Sequence, residues 1–218
     1  MNLNINNNIG ELADFVSSSI NKKLGLGKNV LWFVSGGSSI PIEVEIAKRI
    51  IINHDKLVVT LADERYGPVG HSNSNYFQLE KSGFNISQLN FIPFLSGKDI
   101  ETTTNDINKM LDNEFKKADY KIGFFGIGSD GHTAGILPYS KALTENKLVC
   151  NYQAGLYNRI TITLKAIYEL DEAILYAVGE SKWNAIEKLN ANLPIKEEPA
   201  QILKKVPLLI IYTDYNKI

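Results

Sequence analysis

Three histidines, two methionines, two tryptophans and a single cysteine are all that 218 residues supply of those types, and each shortage narrows what the chain can be. Cys150 has no partner for an internal disulfide. It lies in a short strand-like segment and reads as a buried, inert thiol in a reducing compartment, so a cytoplasmic setting is expected. Clustered Cys/His spacing and any HxxxH are missing, so no metal site is expected. GxSxG is missing too, which removes the elbow of a serine hydrolase.

Charge of one sign is also lacking. The 23 basic and 24 acidic residues leave a formal net charge of -1, no field to draw in nucleic acid or an anionic membrane. Neither is expected as a partner, and any anion must be held locally. The longest apolar runs, such as Val206 to Tyr212, fall far short of the ~20 residues that span a bilayer. The asparagine-rich start MNLNINNNIGELADF has no basic leader or apolar stretch, so no secretory signal is read there, and the sequon Asn85-Ile86-Ser87 is taken as chance. Repeats and linker-like composition are absent.

What is present is apolar bulk in an α/β rhythm. With 44% hydrophobic residues, a chain of this length can bury roughly 70% of its unfolded surface in one core, so residues 1–218 are expected to form one domain. Periodicity predicts helices near Ile9 to Leu24, Pro41 to Ile52, Asn75 to Ser82, Ile100 to Ala118, Lys165 to Leu170, Ser181 to Asn190 and Pro199 to Lys204. Strands are predicted near Val30 to Val34, Lys56 to Ala62, Asn90 to Leu95, Tyr120 to Phe125, Arg159 to Thr163, Ala173 to Val178 and Leu208 to Tyr212. LVVTLA and LLIIY are continuous apolar runs, as parallel strands covered by helices on both faces require. The expectation is an open, mainly parallel α/β sheet.

Ligands of such sheets sit beyond the carboxyl ends of the strands, and those ends here carry SGGSS, DER, GIGSDGH and GES in succession. Ser35 to Ser39 precede a helix opening near Pro41. They read either as a phosphate cradle of backbone N–H groups and hydroxyls or as a plain glycine turn. Gly126-x-Gly128-x-x-Gly131 matches a dinucleotide fingerprint only formally, because it lies mid-chain, Pro138 follows quickly and the distal acidic residue is missing. These glycines allow positive φ and close backbone approach to a ligand just before His132. Imidazole titrates near neutral pH, which suits His132 beside Asp130 for proton transfer.

The remaining charges admit two readings each. Asp63, Glu64 and Arg65 need partners at a strand end unless they form a solvated turn. Arg159 and Lys182 are either surface cations or fixed positive charge for a phosphate. His54 reads as solvated in a charged turn, while His71 either lines the crevice or holds its own loop.

In this order the loops SGGSS, ADERYGPVGHSNSNY, GIGSDGHTAGILP, RITIT and GESK closely resemble the motifs of the 6-phosphogluconolactonase family, from about Val34 to Lys182. The resemblance implies the fold shared with glucosamine-6-phosphate deaminase and ribose-5-phosphate isomerase. It also implies cofactor-free hydrolysis of a sugar-phosphate lactone, 6-phosphoglucono-1,5-lactone, in the pentose phosphate pathway. Gly36, Gly37, Ser38, Ser39, Arg159 and Lys182 would then hold the phosphate, with Asp130 and Gly131 in the substrate-binding set. Asp63, Arg65 and His132 would surround the lactone, His132 as base. Asp63 or Asp130 would orient the imidazole, Asp63 being preferred. A monomer or weak homodimer is expected.

The departures are small: SGGSTP becomes Ser35 to Pro41 with Ser39 in place of threonine and proline one position later, and DGHTASLFP becomes DGHTAGILP. Deaminases usually read DEY or DEF and DGHIAF, whereas Arg65 and Thr133 stand at those positions here. Sugar-phosphate-sensing regulators of similar architecture carry a helix-turn-helix, and nothing before Val30 is long or basic enough to supply one.

Overall fold

The computed structural model describes residues 2–5, 8–51 and 54–216. Along the chain its strands are β1 (Asn2–Ile5), β2 (Val30–Val34), β3 (Leu57–Leu61), β4 (Asp63–Arg65), β5 (Asn90–Ile92), β6 (Tyr120–Gly126), β7 (Val149–Ala154), β8 (Tyr157–Ile162), β9 (Glu172–Ala177) and β10 (Leu208–Thr213). The α-helices are α1 (Ile9–Gly25), α2 (Ile40–Lys48), α3 (Asn75–Lys81), α4 (Ile100–Lys117), α5 (Leu164–Tyr168) and α6 (Glu180–Asn190).

Seven strands form one sheet in the order β1-β10-β9-β6-β2-β3-β5, every neighbouring pair parallel. All five residues of β2 are buried, which a strand tolerates only where both faces of the sheet are covered. α1 supplies part of that cover. Its Leu12, Val16, Ile20 and Leu24 recur at helical spacing and are buried, and Asn8 caps its first turn by accepting from the N–H groups of Gly10 and Glu11.

The strand order places the site. From β2 the chain runs outward to β3 and β5 on one side, whereas β6, β9 and β10 build the other side. Crossovers therefore leave in opposite directions at β2 and β6, opening a crevice at their carboxyl ends. SGGSS follows β2 and GIGSDGH follows β6, so the two loops face each other across that switch point.

Differences from the sequence reading have identifiable causes. The segment RITIT is not in the main sheet: β8 pairs antiparallel with β4 and β7 in a second, three-stranded sheet. Apolar alternation marks a strand without naming its partner. β1 adds a strand that the asparagine-rich start did not suggest, at the edge of the main sheet against β10. Pro199–Lys205 winds as a 3₁₀ rather than an α-helix. α2 ends at Lys48, while Ile52, the expected end, and the side chain of His54 lie outside what is described. Cys150 sits in β7, 2% exposed, and burial, with Glu145 nearby, pushes its thiol up to about 12.

Candidate active site

The SGGSS loop is clamped before it reaches any ligand. Ser35 Oγ donates to the carbonyl of Phe124 in β6 at 2.6 Å, and the Ser35 N–H donates to Glu43 Oε1 at 2.6 Å. Glu43 is fully buried in α2. Burial pushes its carboxyl well above the usual range, against the pull of the Ser35 N–H, and the charge of Asp63 pushes the same way. The Glu43 carboxyl thus anchors the loop's first residue. Past this clamp Gly37 takes φ +70°, a left-handed conformation that turns the chain into α2. Gly36 to Ser39 form one wall of a cleft of about 270 Å³.

The second wall comes from β4 and α3. Glu64 points away from the cleft and is fully buried. Its carboxylate accepts four hydrogen bonds: Arg65 N–H at 2.7 Å, Asn75 N–H at 2.7 Å, Tyr76 N–H at 3.0 Å and Ser74 Oγ–H at 2.8 Å. Three of these close the amino end of α3, where backbone donors are otherwise orphaned. Desolvation still raises the Glu64 carboxyl above its ordinary value. Replacing Glu64 by alanine should destabilise the protein by at least about 2 kcal/mol in urea melts, because buried donors lose their acceptor.

Glu64 thereby turns Asp63 and Arg65, its strand neighbours, to the other face. Asp63 Oδ2 accepts from Arg159 Nη1 at 3.0 Å, and Arg65, whose Nη1 donates to the carbonyl of Asn73 at 2.9 Å, joins them in the cleft lining.

His132 stands on the third wall. Its Nδ1 lies 2.5 Å from Asp130 Oδ1, and its backbone N–H reaches the same oxygen at 3.2 Å. That bond holds the Asp130 carboxyl down to about 2, burial opposing it only in part. An ionised carboxylate only accepts, so Nδ1 carries the proton and the neutral ring has its lone pair on Nε2. Gly128 makes room for the pair, since a Cβ there would fall 2.1 Å from His132 Nδ1 and 2.5 Å from Asp130 Oδ1.

The Asp130 shift fixes a sign. Its folded value lies below the ordinary one, so the linked stabilisation is present above about pH 4 and is lost as pH falls through about 2. Wild type should exceed Asp130→Asn in Tm at pH 5, and the gap should close towards pH 2.

Lys182, in the first turn of α6, donates from Nζ to the carbonyl of Ile127 at 2.6 Å. The preceding GES turn is pinned from the far end of the chain: Asp214 accepts from Gly179 N–H at 3.0 Å and from Trp183 Nε1 at 2.9 Å.

Of the residues expected from sequence, Gly36, Gly37, Ser38, Ser39, Asp63, Arg65, His132, Arg159 and Lys182 meet in this cleft. Three expectations need correction. Asp63 does not orient the imidazole; its carboxylate is engaged by Arg159, and Asp130 does the orienting. Asp130 and Gly131 stand behind His132 rather than in the lining. Gly131 backs onto the Glu198 carboxylate instead, and its carbonyl accepts from Ala200 N–H at 2.9 Å. Of the three glycines before His132 only Gly131 takes positive φ, Gly128 being needed for space. Of the two readings left open for His71 the second holds: it ties down its own loop, its Nε2 lying 2.9 Å from the carbonyl of Arg65.

Sequence reasoning missed Glu43, Asn75, Ala134 and Asp214. Asn75 lay in the quoted HSNSNY stretch and Ala134 in DGHTA, but neither residue type announces a role. Glu43 had one usable signal, a carboxylate on the apolar face of a helix.

Known proteins resemble this chain in sequence and in fold. The 6-phosphogluconolactonase of Borreliella burgdorferi is 29% identical over 200 residues, covering 84% of this chain and 83% of that protein. That of Helicobacter pylori is 30% identical over 190 residues, covering 82% and 81%. The crystal structure of 6-phosphogluconolactonase from Thermotoga maritima superposes with a TM-score of 0.85 over 97% of both chains at 18% identity, a likeness of fold. A family model described as glucosamine-6-phosphate isomerases/6-phosphogluconolactonase matches residues 6–210. That span takes in all four loops at the switch point and nearly every strand beneath them, and the chain belongs to the glucosamine-6-phosphate isomerase/6-phosphogluconolactonase family.

Proposed function

We propose that this protein hydrolyses 6-phospho-D-glucono-1,5-lactone to 6-phospho-D-gluconate, with His132 as the general base. One observation carries the reading. In a single cleft, an imidazole committed through Nδ1 to Asp130 meets a wall of Gly36 to Ser39 backbone with Arg159 and Lys182 beside it. The curated relatives named 6-phosphogluconolactonase support the choice of substrate.

Arg159 adds support on the phosphate side. Its Nε is buried with no acceptor among the described residues, a donor that an anion would satisfy. In the proposed reaction, His132 Nε2 takes a proton from water as the water oxygen bonds to C1 of the lactone. The carbonyl becomes an oxyanion, which the Arg65 guanidinium or a backbone N–H stabilises. As the tetrahedral centre collapses, the bond from C1 to the ring oxygen breaks and the imidazolium returns its proton to that oxygen. Asp130 stays ionised throughout and steadies the imidazolium.

The test is a coupled assay on freshly made lactone, corrected for spontaneous hydrolysis, run beside ammonia release from glucosamine 6-phosphate. Lactone turnover without ammonia is expected; ammonia without lactone turnover would move the protein to the other branch of its family. Lys182→Ala should raise KM roughly 10- to 100-fold with kcat and Tm little changed, because it removes one charge-assisted phosphate contact and leaves no buried charge alone.

A further inference from the structure

Asn75 is 3% exposed, opens α3 and reaches the cleft lining. Its Nδ2 donates to the Asp63 carbonyl at 2.8 Å and to Asp63 Oδ1 at 3.3 Å. With both donor hydrogens turned to Asp63, its own Oδ1 is left buried without a donor. That oxygen faces Gly36. A Cβ on Gly36 would fall 2.2 Å from Oδ1, 2.5 Å from Cγ and 2.9 Å from Nδ2 of Asn75.

Two physical points follow. Gly36 has φ -100° and ψ -175°, extended backbone that any residue adopts; glycine is required there by the carboxamide in front of it rather than by conformation. An orphaned buried carbonyl also costs stability. An apolar residue of similar shape would avoid that cost but leave Asp63 without its donor. The polar side chain is thus kept for what it does to Asp63, whose other oxygen takes Arg159.

We infer that Asn75 is a positioning residue that spaces the phosphate loop from the Asp63–Arg159 pair, with its carboxamide seated on Gly36 and aiming the Asp63 carboxylate. The inference rests on the lactonase reading for its substrate, though not for its geometry.

A mutant cycle tests it, read both in lactone turnover and in the Kd of inorganic phosphate by calorimetry. Asn75→Ala and Asn75→Leu should each lower kcat/KM about 10- to 100-fold, the range for hydrogen bonds to charged groups. Gly36→Ala should weaken phosphate binding in the wild-type background and again beside Asn75→Leu, where bulk still faces the new Cβ. Beside Asn75→Ala the same change should cost under about twofold, because the space is free; such rescue is non-additivity between touching residues. A merely structural Asn75 would lower Tm and leave kcat/KM of the folded variants within about twofold of wild type. Multiplying penalties, or single Asn75 variants that remain folded and lie within about twofold of wild type, overturn the inference. Wild type that binds phosphate but does not turn over lactone sinks the lactonase reading instead, and the phosphate cycle still decides Asn75.

Discussion

Replacing His132 by alanine should lower kcat for lactone hydrolysis by about 100- to 10,000-fold, the usual contribution of a general base, with KM nearly unchanged. The split follows from placement. The proposed phosphate contacts, Gly36 to Ser39, Arg159 and Lys182, lie on other elements than the loop that holds His132. Folding should survive, since the ring's hydrogen bond is to Asp130, an exposed residue that water can solvate alone. Asp130→Asn should cost less than His132→Ala. An asparagine carbonyl still accepts from Nδ1–H, but the charge that steadies the imidazolium is gone. Near-normal turnover in a folded His132→Ala enzyme would remove the base from the scheme.

Arg159→Ala should damage the protein in two ways that Lys182→Ala does not. Asp63 and Arg159 form a pair whose side chains are 8% and 18% exposed. Removing the arginine strands a buried carboxylate, and breaking such a pair costs about 3 to 5 kcal/mol. For a chain of this size each kcal/mol lowers Tm by roughly 2 to 4 °C, so thermal and urea melts should register the loss plainly. KM should rise as well, through the lost phosphate contact. Asp63→Asn placed in the Arg159→Ala background should recover part of the stability, because no buried charge is then unpaired, and should recover none of the phosphate affinity. Unchanged melting of Arg159→Ala would mean that water already solvates the pair.

The two carboxylates show where sequence reading stopped. Asp130 and His132 are two residues apart, and a tight turn after β6 brings one oxygen to both the ring nitrogen and the backbone N–H of His132. Asp63 was the preferred partner from sequence. It is claimed instead by an arginine 96 residues away, a contact that no local pattern contains. The same limit explains Glu64. DER read as three charges that need partners or form a solvated turn, yet strand alternation sends the middle one into the core as the acceptor for α3 and its flanking residues into the cleft.

Most of the architecture was legible for a physical reason. Strands covered on both faces must be apolar throughout, so β2, β3 and β10 announce themselves as runs, and the loops that follow carry the polar groups. β8 was legible as a strand and misplaced in its sheet, because antiparallel pairing with β4 depends on where the chain crosses over.

By itself, then, the order of residues determined which chemical groups exist, on which strand ends they ride and that a histidine follows a glycine-dense turn. These are consequences of short-range sterics and of burying apolar surface. Only the tertiary structure decided which carboxylate serves His132, which cation neutralises Asp63 and why Gly36 has no side chain. Those outcomes depend on distances of a few ångströms between distant segments, where the loss of hydration makes the choice of partner decisive.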